Sequence, residues 1–474
     1  MAGFIGRDRQ MRALQRALDG VEVTRGATPG RGQCVMVRGR RRVGKSRLVE
    51  EFTLRAGAPT VFFAASRQGT REVALFAREV AESDLPDRDL FTAANPGDWD
   101  AALRLLAAAL PGDRPSIVVI DEFPYLLEAT EHLDAVFQKQ WDRALSKKPV
   151  LLILIGSDLA MMEELNAHGR AFYQRGTEMV VPPLSPTETA EAIGLDSPGD
   201  AFDAYLVTGG LPLICEEWPD GAGLWDYLTD ALHETTSALV VSAERALVAE
   251  FPEDALARRV LEQIGSGERT FTNIARASGG LQSTSAKRAL DLLGAKRVVS
   301  RDLPLSTKPS REARYRVADP YLRFWLQFIG PHLEELERGR GDRVLARLRT
   351  GWPSWRGRAV EPVVREALTR LLPVAGLADA AVVGGYWNRT NTTEVDLVGA
   401  DRGPVADHVR FAGTIKWLDS SPLDRGDLQR LAGHLPAIPG ADETTPLVAV
   451  SRSGTTATGA AATFDPHDLL AAWQ

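Results

Sequence analysis

Cysteine is nearly missing from this chain: Cys34 and Cys215 are the only two in 474 residues. That excludes a disulfide framework and any cysteine-rich metal site. It fits a reducing compartment, so a cytoplasmic location is expected. Cys34 lies in an apolar run and reads as a small core residue. Long hydrophobic runs are also missing. The longest, such as "VLLILIG", fall far short of the roughly 20 residues that span a bilayer. The opening "MAGFIGRDRQ" lacks the apolar core of a signal peptide. No membrane partner is expected. Nor is there a surplus of positive charge: 56 Lys and Arg face 63 Asp and Glu, a formal net charge of −7. A chain coated in basic charge is excluded, although a local basic face is not. What remains is an ordinary globular composition, 44% hydrophobic and 25% charged, with enough apolar residues for a sizeable core. The length suggests about three domains.

The clearest motif is "QCVMVRGRRRVGKSRLVEEF". A strand-like apolar run over residues 33–38 leads into Gly39, Arg40, Arg41, Arg42, Val43, Gly44, Lys45 and Ser46. An amphipathic helical pattern then starts at Arg47, with Leu48, Val49 and Phe52 apolar. Strand, glycine-rich loop and helix in this order form the context of a P-loop. Glycines let backbone N–H groups converge on phosphate oxygens, and the helix N-terminus adds partial positive charge. Lys45 can reach the β and γ phosphates of ATP, and the Ser46 hydroxyl can ligate Mg2+.

A second signal is "RPSIVVIDEFPYLL", a buried-strand pattern over 117–120 that ends in Asp121 and Glu122. Asp121 is suited to the Mg2+ shell, and Glu122 to polarising the attacking water as a general base. A third apolar run, "PVLLILIGSDLAMM", ends in Gly156 and Ser157. Ser157 can sense the γ phosphate from the adjacent strand, or it can be a plain helix N-cap. Arg175, just before another short strand, can stabilise transition-state charge in cis or from a neighbouring copy, or be a surface arginine; Arg170 is a weaker candidate.

Taken together, "FIGRDRQMRALQRAL", "GRRRVGKS", "VVIDEFPYLL", "LILIGSDLAMM", "FYQRGTEMVVPPLSPTE" and "YLVTGGLP", in this order, resemble the archaeal-type ATPases of the STAND class. These are relatives of AAA+ ATPases found in archaea and bacteria, and the resemblance covers roughly the whole chain. It implies a parallel sheet of strand order 5-1-4-3-2 with helices on both faces. It also implies that the segment holding Arg7 lies beside the adenine, and that Pro212, in "GGLP", contacts nucleotide from a helical lid. One departure stands out. Asp158 occupies a position that is usually small and polar, where it would be unfavourable near phosphate unless it caps the following helix.

Between 256 and 319 the pattern reads helix, helix, helix, β-hairpin, the order of a winged helix-turn-helix. Thirteen basic residues face six acidic ones here, a local excess in an acidic chain. In a DNA reader the third helix would enter the major groove, presenting Thr284, Lys287 and Arg288. The same fold also serves as a packing module. The aromatic stripe Tyr321, Phe324, Trp325 and Phe328 has helical spacing and reads as core. "LERGRGDRVL" and "TGWPSWRGR" read as a Gly/Arg-rich boundary.

The last part reads helix, strand, strand, strand, with Glu361, Glu394, Asp396 and Lys416 in that order. This resembles the PD-(D/E)xK nuclease superfamily, and a C-terminal domain of that kind is expected with such ATPases. Side chains at i and i+2 share a strand face, so Glu394 pairs with Asp396 and Thr414 with Lys416. With Glu361 these groups can converge into a metal-dependent site. Thr414, however, stands where the superfamily has a carboxylate or amide, and a neutral hydroxyl is a poor Mg2+ ligand. The expectation is a degenerate nuclease fold.

The whole reads as an α/β protein: a P-loop NTPase core of AAA+/STAND type (1–185), a helical lid (186–252), a winged helix with linker helices (253–350) and a restriction-endonuclease-like domain (351–474). The expected function is a Mg2+-dependent ATPase acting as a nucleotide-controlled switch on DNA-binding domains, with ATP and DNA as partners and a homo-oligomer within reach. The alternatives are a DNA-binding scaffold or regulator holding unhydrolysed nucleotide, and a DNA-cleaving effector of genome defence or a mobile element.

Overall fold

A computed structural model of the chain describes residues 5–66, 68–168, 170, 172–251, 255–372 and 379–474. It forms two compact units, Met1–Pro183 and Leu184–Gln474.

The first unit is built on five strands: β1 (Gln33–Arg38), β2 (Thr60–Ala64), β3 (Ser116–Asp121), β4 (Val150–Gly156) and β5 (Thr177–Val180). All run parallel in the order β2-β3-β4-β1-β5, the order the resemblance implied. Every residue of β3 and β4 is buried, as expected of central parallel strands covered on both faces. One layer of the core is aromatic. Phe76 packs edge-on against Phe63, and Phe123 against Phe137, while Trp99 tilts between the two pairs.

The second unit opens with five helices: Pro186–Ile193, Pro198–Thr208, Pro212–Glu217, Leu224–His233 and Ala238–Glu250. The helices Ala255–Gly265, Phe271–Ala277 and Ser283–Ala295 follow. Strands β6 (Val299–Asp302) and β7 (Arg314–Val317) then pair as an antiparallel hairpin. The helix Pro320–Phe328 buries Tyr321, Phe324, Trp325 and Phe328, so the aromatic stripe is core. A last sheet comprises β8 (Val382–Trp387), β9 (Glu394–Ala400), β10 (Val409–Lys416), β11 (Leu447–Ser451) and β12 (Ala462–Phe464), in the order β12-β11-β10-β9-β8. Strands β8, β9 and β10 are antiparallel; β10, β11 and β12 are parallel.

Two expected boundaries need comment. The division at 252/253 lies outside the described residues. The division expected at 350/351 falls inside one continuous helix, Gly341–Leu371. The Gly/Arg-rich stretch suggested a break, and an internal proline costs about 3 kcal/mol. The helix nevertheless buries a stripe that includes Leu348, Trp352, Trp355, Val360, Val364 and Leu368. At about 1.5–3 kcal/mol for each large apolar side chain, that packing outweighs both Pro353 and Pro362.

Candidate active site

The parallel register brings the carboxyl ends of three strands together. Arg38 at the end of β1 is level with Gly156 at the end of β4, and β4 lies between β1 and β3. The glycine-rich loop after β1, Ser157 after β4 and Asp121–Glu122 at the end of β3 therefore meet along one sheet edge. Two glycines make the loop possible. A Cβ on Gly39 would stand 2.4 Å from the Val181 carbonyl oxygen, and Gly44 has φ 82° where it starts the helix Lys45–Ala56. That helix has no side-chain cap, so the N–H groups of its first turn are left for a ligand.

Lys45 is buried at the centre. Its ammonium donates to the carbonyls of Gly39 (2.9 Å) and Arg40 (2.9 Å) and to Ser157 Oγ (3.0 Å). Ser157 Oγ in turn donates to Glu122 Oε1 at 2.9 Å. The other oxygen, Glu122 Oε2, is buried without a partner. Glu122 also has φ 51°, a left-handed conformation rare outside glycine and found at functional sites where the surroundings enforce it. Beside this chain, Ser46 Oγ donates to Asp121 Oδ2 at 2.5 Å, and Asp121 Oδ1 accepts from the Glu122 backbone N–H. A hydroxyl and a carboxylate at this contact are the hard oxygen donors a Mg2+ ion takes, so the residues fit that ion. Burial lowers the Lys45 pKa to about 8, against the opposing charges of Glu122 and Asp121. Burial likewise raises Asp121, although its hydrogen bonds from Ser46 and the Glu122 N–H pull the other way.

Residues 3–155 match the family model of the AAA ATPase domain. Residues 325–427 match the DUF234 family, described as archaeal and bacterial proteins of unknown function. The chain is similar to the uncharacterized protein MJECL04 of Methanocaldococcus jannaschii, 23% identical over 425 residues and 89% of each chain. Among solved structures it is similar to the Walker-type ATPase PABY2304 of Pyrococcus abyssi, at 18% identity and TM-score 0.47, covering 68% of this chain and 96% of that one. It is also similar to the Aeropyrum pernix ORC2 protein in its ADPNP–ADP complexes, at 14% identity and TM-score 0.43, covering 74% and 98%.

Other residues read from the sequence fall in different places around the ATPase domain. Arg7 turns inward, with φ 70°, and its guanidinium donates to the Val43 carbonyl (2.8 Å) and the Pro182 carbonyl (2.5 Å). Its side chain thus braces the glycine-rich loop from behind. Arg41 is tethered to the Tyr125 hydroxyl at 3.1 Å, a partner the sequence reading missed. Asp158 caps the helix Leu159–Leu165 by accepting from the Met161 N–H, which takes its charge away from the phosphate position. Arg175 precedes β5, at the end of the sheet opposite the loop, and forms a two-pronged ion pair with Asp142 at 2.8 and 2.9 Å. That position does not serve a phosphate on the same chain. Pro212 sits at the first turn of the helix Pro212–Glu217 in the second unit.

The C-terminal carboxylates lie near enough that the charges of Asp396 and Glu394 both act on Glu361, but each is engaged by another side chain. Among the described residues, the one group of three His, Cys, Asp or Glu with ligand atoms all within 4.8 Å of one another is Asp465, His467 and Asp468, so Glu361, Glu394 and Asp396 do not stand at that mutual distance. Arginines bond two of these carboxylates. Arg314 makes a two-pronged contact with Glu394 at 2.5 and 3.2 Å, and Arg269 adds a bond at 3.4 Å. Burial would raise Glu394, but those two arginines together hold its pKa below the usual value. Arg365 donates to Glu361 at 3.1 Å and to the Asp396 carbonyl at 2.8 Å. Burial raises both Glu361 and Asp396. Thr414 donates to Asp396 Oδ2 at 3.0 Å, and Lys416 pairs with Asp427 at 2.7 Å. An i, i+4 Glu361–Arg365 pair is visible in the sequence; the roles of Arg314 and Asp427 depend on distant pairing. Thr284, Lys287 and Arg288 are exposed on the helix Ser283–Ala295.

Proposed function

We propose that this chain is a Mg2+-dependent ATPase whose nucleotide state governs a DNA-binding accessory region. The single observation that carries the reading is the unbroken chain from Lys45 through Ser157 to Glu122, with Ser46 and Asp121 beside it. ATP phosphates would take over the Lys45 donors now spent on the loop carbonyls, together with the N–H groups at the start of the following helix. Ser46 and Asp121 would hold Mg2+, which supplies charge neutralisation of the β and γ oxygens. Water would attack the γ phosphorus as the bond to the β-phosphate oxygen breaks, and Glu122 Oε2 would accept the proton that water loses. Ser157 holds Glu122 in orientation and couples it to Lys45. The products are ADP and phosphate.

The finer assignments follow the sequence. The P-loop core is of STAND type. The helices and hairpin over 255–317 form a winged helix that presents Lys287 and Arg288 to DNA, supported by their exposure and the local basic excess. The sheet β8–β12 is a PD-(D/E)xK-like fold whose site arginines have filled. Lys45→Ala is expected to weaken ATP binding more than tenfold by calorimetry, because it removes the charge at the phosphates. Undiminished binding by that variant would contradict the reading.

A further inference from the structure

Two adjoining clefts in the second unit line up on either side of Tyr315. One, of about 410 Å³, is lined by Arg269, Arg316, Arg323 and Arg358, with Glu268 the acidic side chain in its wall. The other, of about 300 Å³, is lined by Arg301, Arg311, Arg314 and Arg389, with Glu312. Tyr315 lines both, and Arg269 in the first is followed directly by Thr270 in the second. The two clefts share Tyr315 and, taken together as one groove along β7, carry eight arginines against two glutamates in their walls.

Some of these arginines are already used. Arg314 and Arg269 hold Glu394, and Arg316 holds Asp302 at 2.8 Å. Arg301, Arg311 and Arg389 are exposed and have no acidic partner among the described residues; neither has the Arg358 guanidinium. Arg323 donates to the Arg358 carbonyl at 3.2 Å; burial lowers its pKa to about 10, Glu361 opposes this, and the charges of Arg316, Arg358 and Arg269 add to it. Like charges held this close, and only partly offset by Glu361, Glu394 and Asp302, are an arrangement that a polyanion would relieve.

We infer that this groove binds the backbone of a single-stranded nucleic acid, with bases seated on either side of Tyr315. Each cleft has the size of a small-ligand pocket, which admits a splayed nucleotide and not a duplex. An arginine track interrupted by an aromatic ring is the pattern for sequence-tolerant single-strand binding. The groove is separate from the exposed face of the helix Ser283–Ala295. The inference rests on the reading of the second unit as a nucleic-acid-binding region, and it names another surface and another ligand form.

The test uses the full chain and a fluorescein-labelled single strand of about 20 nucleotides, followed by anisotropy between about 50 and 200 mM salt. The triple variant Arg301→Glu/Arg311→Glu/Arg389→Glu is compared with Lys287→Glu/Arg288→Glu and with wild type. A milder triple, each arginine to glutamine, guards against misfolding and is checked by circular dichroism. Both triples are expected to weaken single-strand binding at least tenfold. The glutamine triple is expected to flatten the salt slope by about 2, three contacts at roughly 0.7 each. The helix pair is expected to keep single-strand binding within about twofold of wild type. Wild-type single-strand affinity in the folded glutamine triple would overturn the groove while leaving the helix reading intact. Loss of single-strand binding in the helix pair alone would also overturn it. Absence of any nucleic-acid binding by wild type would overturn both. Displacement of the strand by polyglutamate as readily as by unlabelled oligonucleotide would overturn the ligand class.

Discussion

Lys45 shows how much of a site is set by one residue's surroundings. It has three N–H donors, and three acceptors of the protein already satisfy them. Burial lowers its pKa from the ordinary lysine value of 10.5 to about 8. Because the folded value is depressed, the stability linked to this group is present above the unfolded value and lost as pH falls through the folded one. The buried ammonium therefore costs the ligand-free protein stability near neutrality, and an anionic ligand removes that cost. ATP affinity is expected to hold up to about pH 8 and then to fall by up to about tenfold per pH unit towards 10.5, measured by calorimetry at constant ionic strength. A flat profile to pH 10 would contradict a buried lysine as the phosphate anchor. At this scale the sequence was informative where chemistry is local. The glycine-rich loop and the Asp121–Glu122 pair each need only a few neighbouring residues to be read. Arg7 was less legible, because its partner Pro182 lies 175 residues away.

Elements were legible where hydrophobic period and turn chemistry agreed, as in β1, β3, β4 and the helix after the loop. They were misread where local signals pointed one way and tertiary packing another. The helix Gly341–Leu371 passes through two internal glycines and two prolines because its buried stripe holds it. That helix also carries Arg356, whose guanidinium is buried and bonds Asp203 at 3.0 Å and Asp419 at 2.9 Å. Arg452 reaches the same Asp203 at 3.0 Å. One carboxylate thereby joins the helix Pro198–Thr208 to the long helix and to the residue that follows β11. Removing one partner of such a network leaves charge buried without compensation, so Asp203→Ala is expected to cost about 3 kcal/mol in urea unfolding. A change below about 0.5 kcal/mol would show that the network is solvated in solution. No sequence pattern exposes this triad, because its members are drawn together by the fold of the whole unit.

For the molecule as a whole, the two units present contrasting sites. In the ATPase domain, carboxylates, hydroxyls and a lysine form one connected chain, with an unpartnered oxygen on Glu122. In the C-terminal sheet, comparable residue types are present, but arginines occupy Glu361 and Glu394, and Thr414 occupies Asp396. The sequence showed the doubtful residue, Thr414, but not the arginines that complete the change, because Arg314 and Arg269 come from the hairpin region more than 75 residues upstream of β9. Purified protein with Mg2+ is therefore expected to leave supercoiled plasmid intact over hours, in wild type and in Asp396→Asn alike. Cleavage by wild type that Asp396→Asn abolishes would contradict a site closed by arginine. ATP hydrolysis by the first unit is read by steady-state phosphate release, with ATP binding measured in parallel. Glu122→Gln is expected to bind ATP within about threefold of wild type and to release phosphate at least about 10²-fold more slowly, since it keeps the shape and removes the base. Equal turnover in the two proteins, or none in either, would contradict hydrolysis through Glu122.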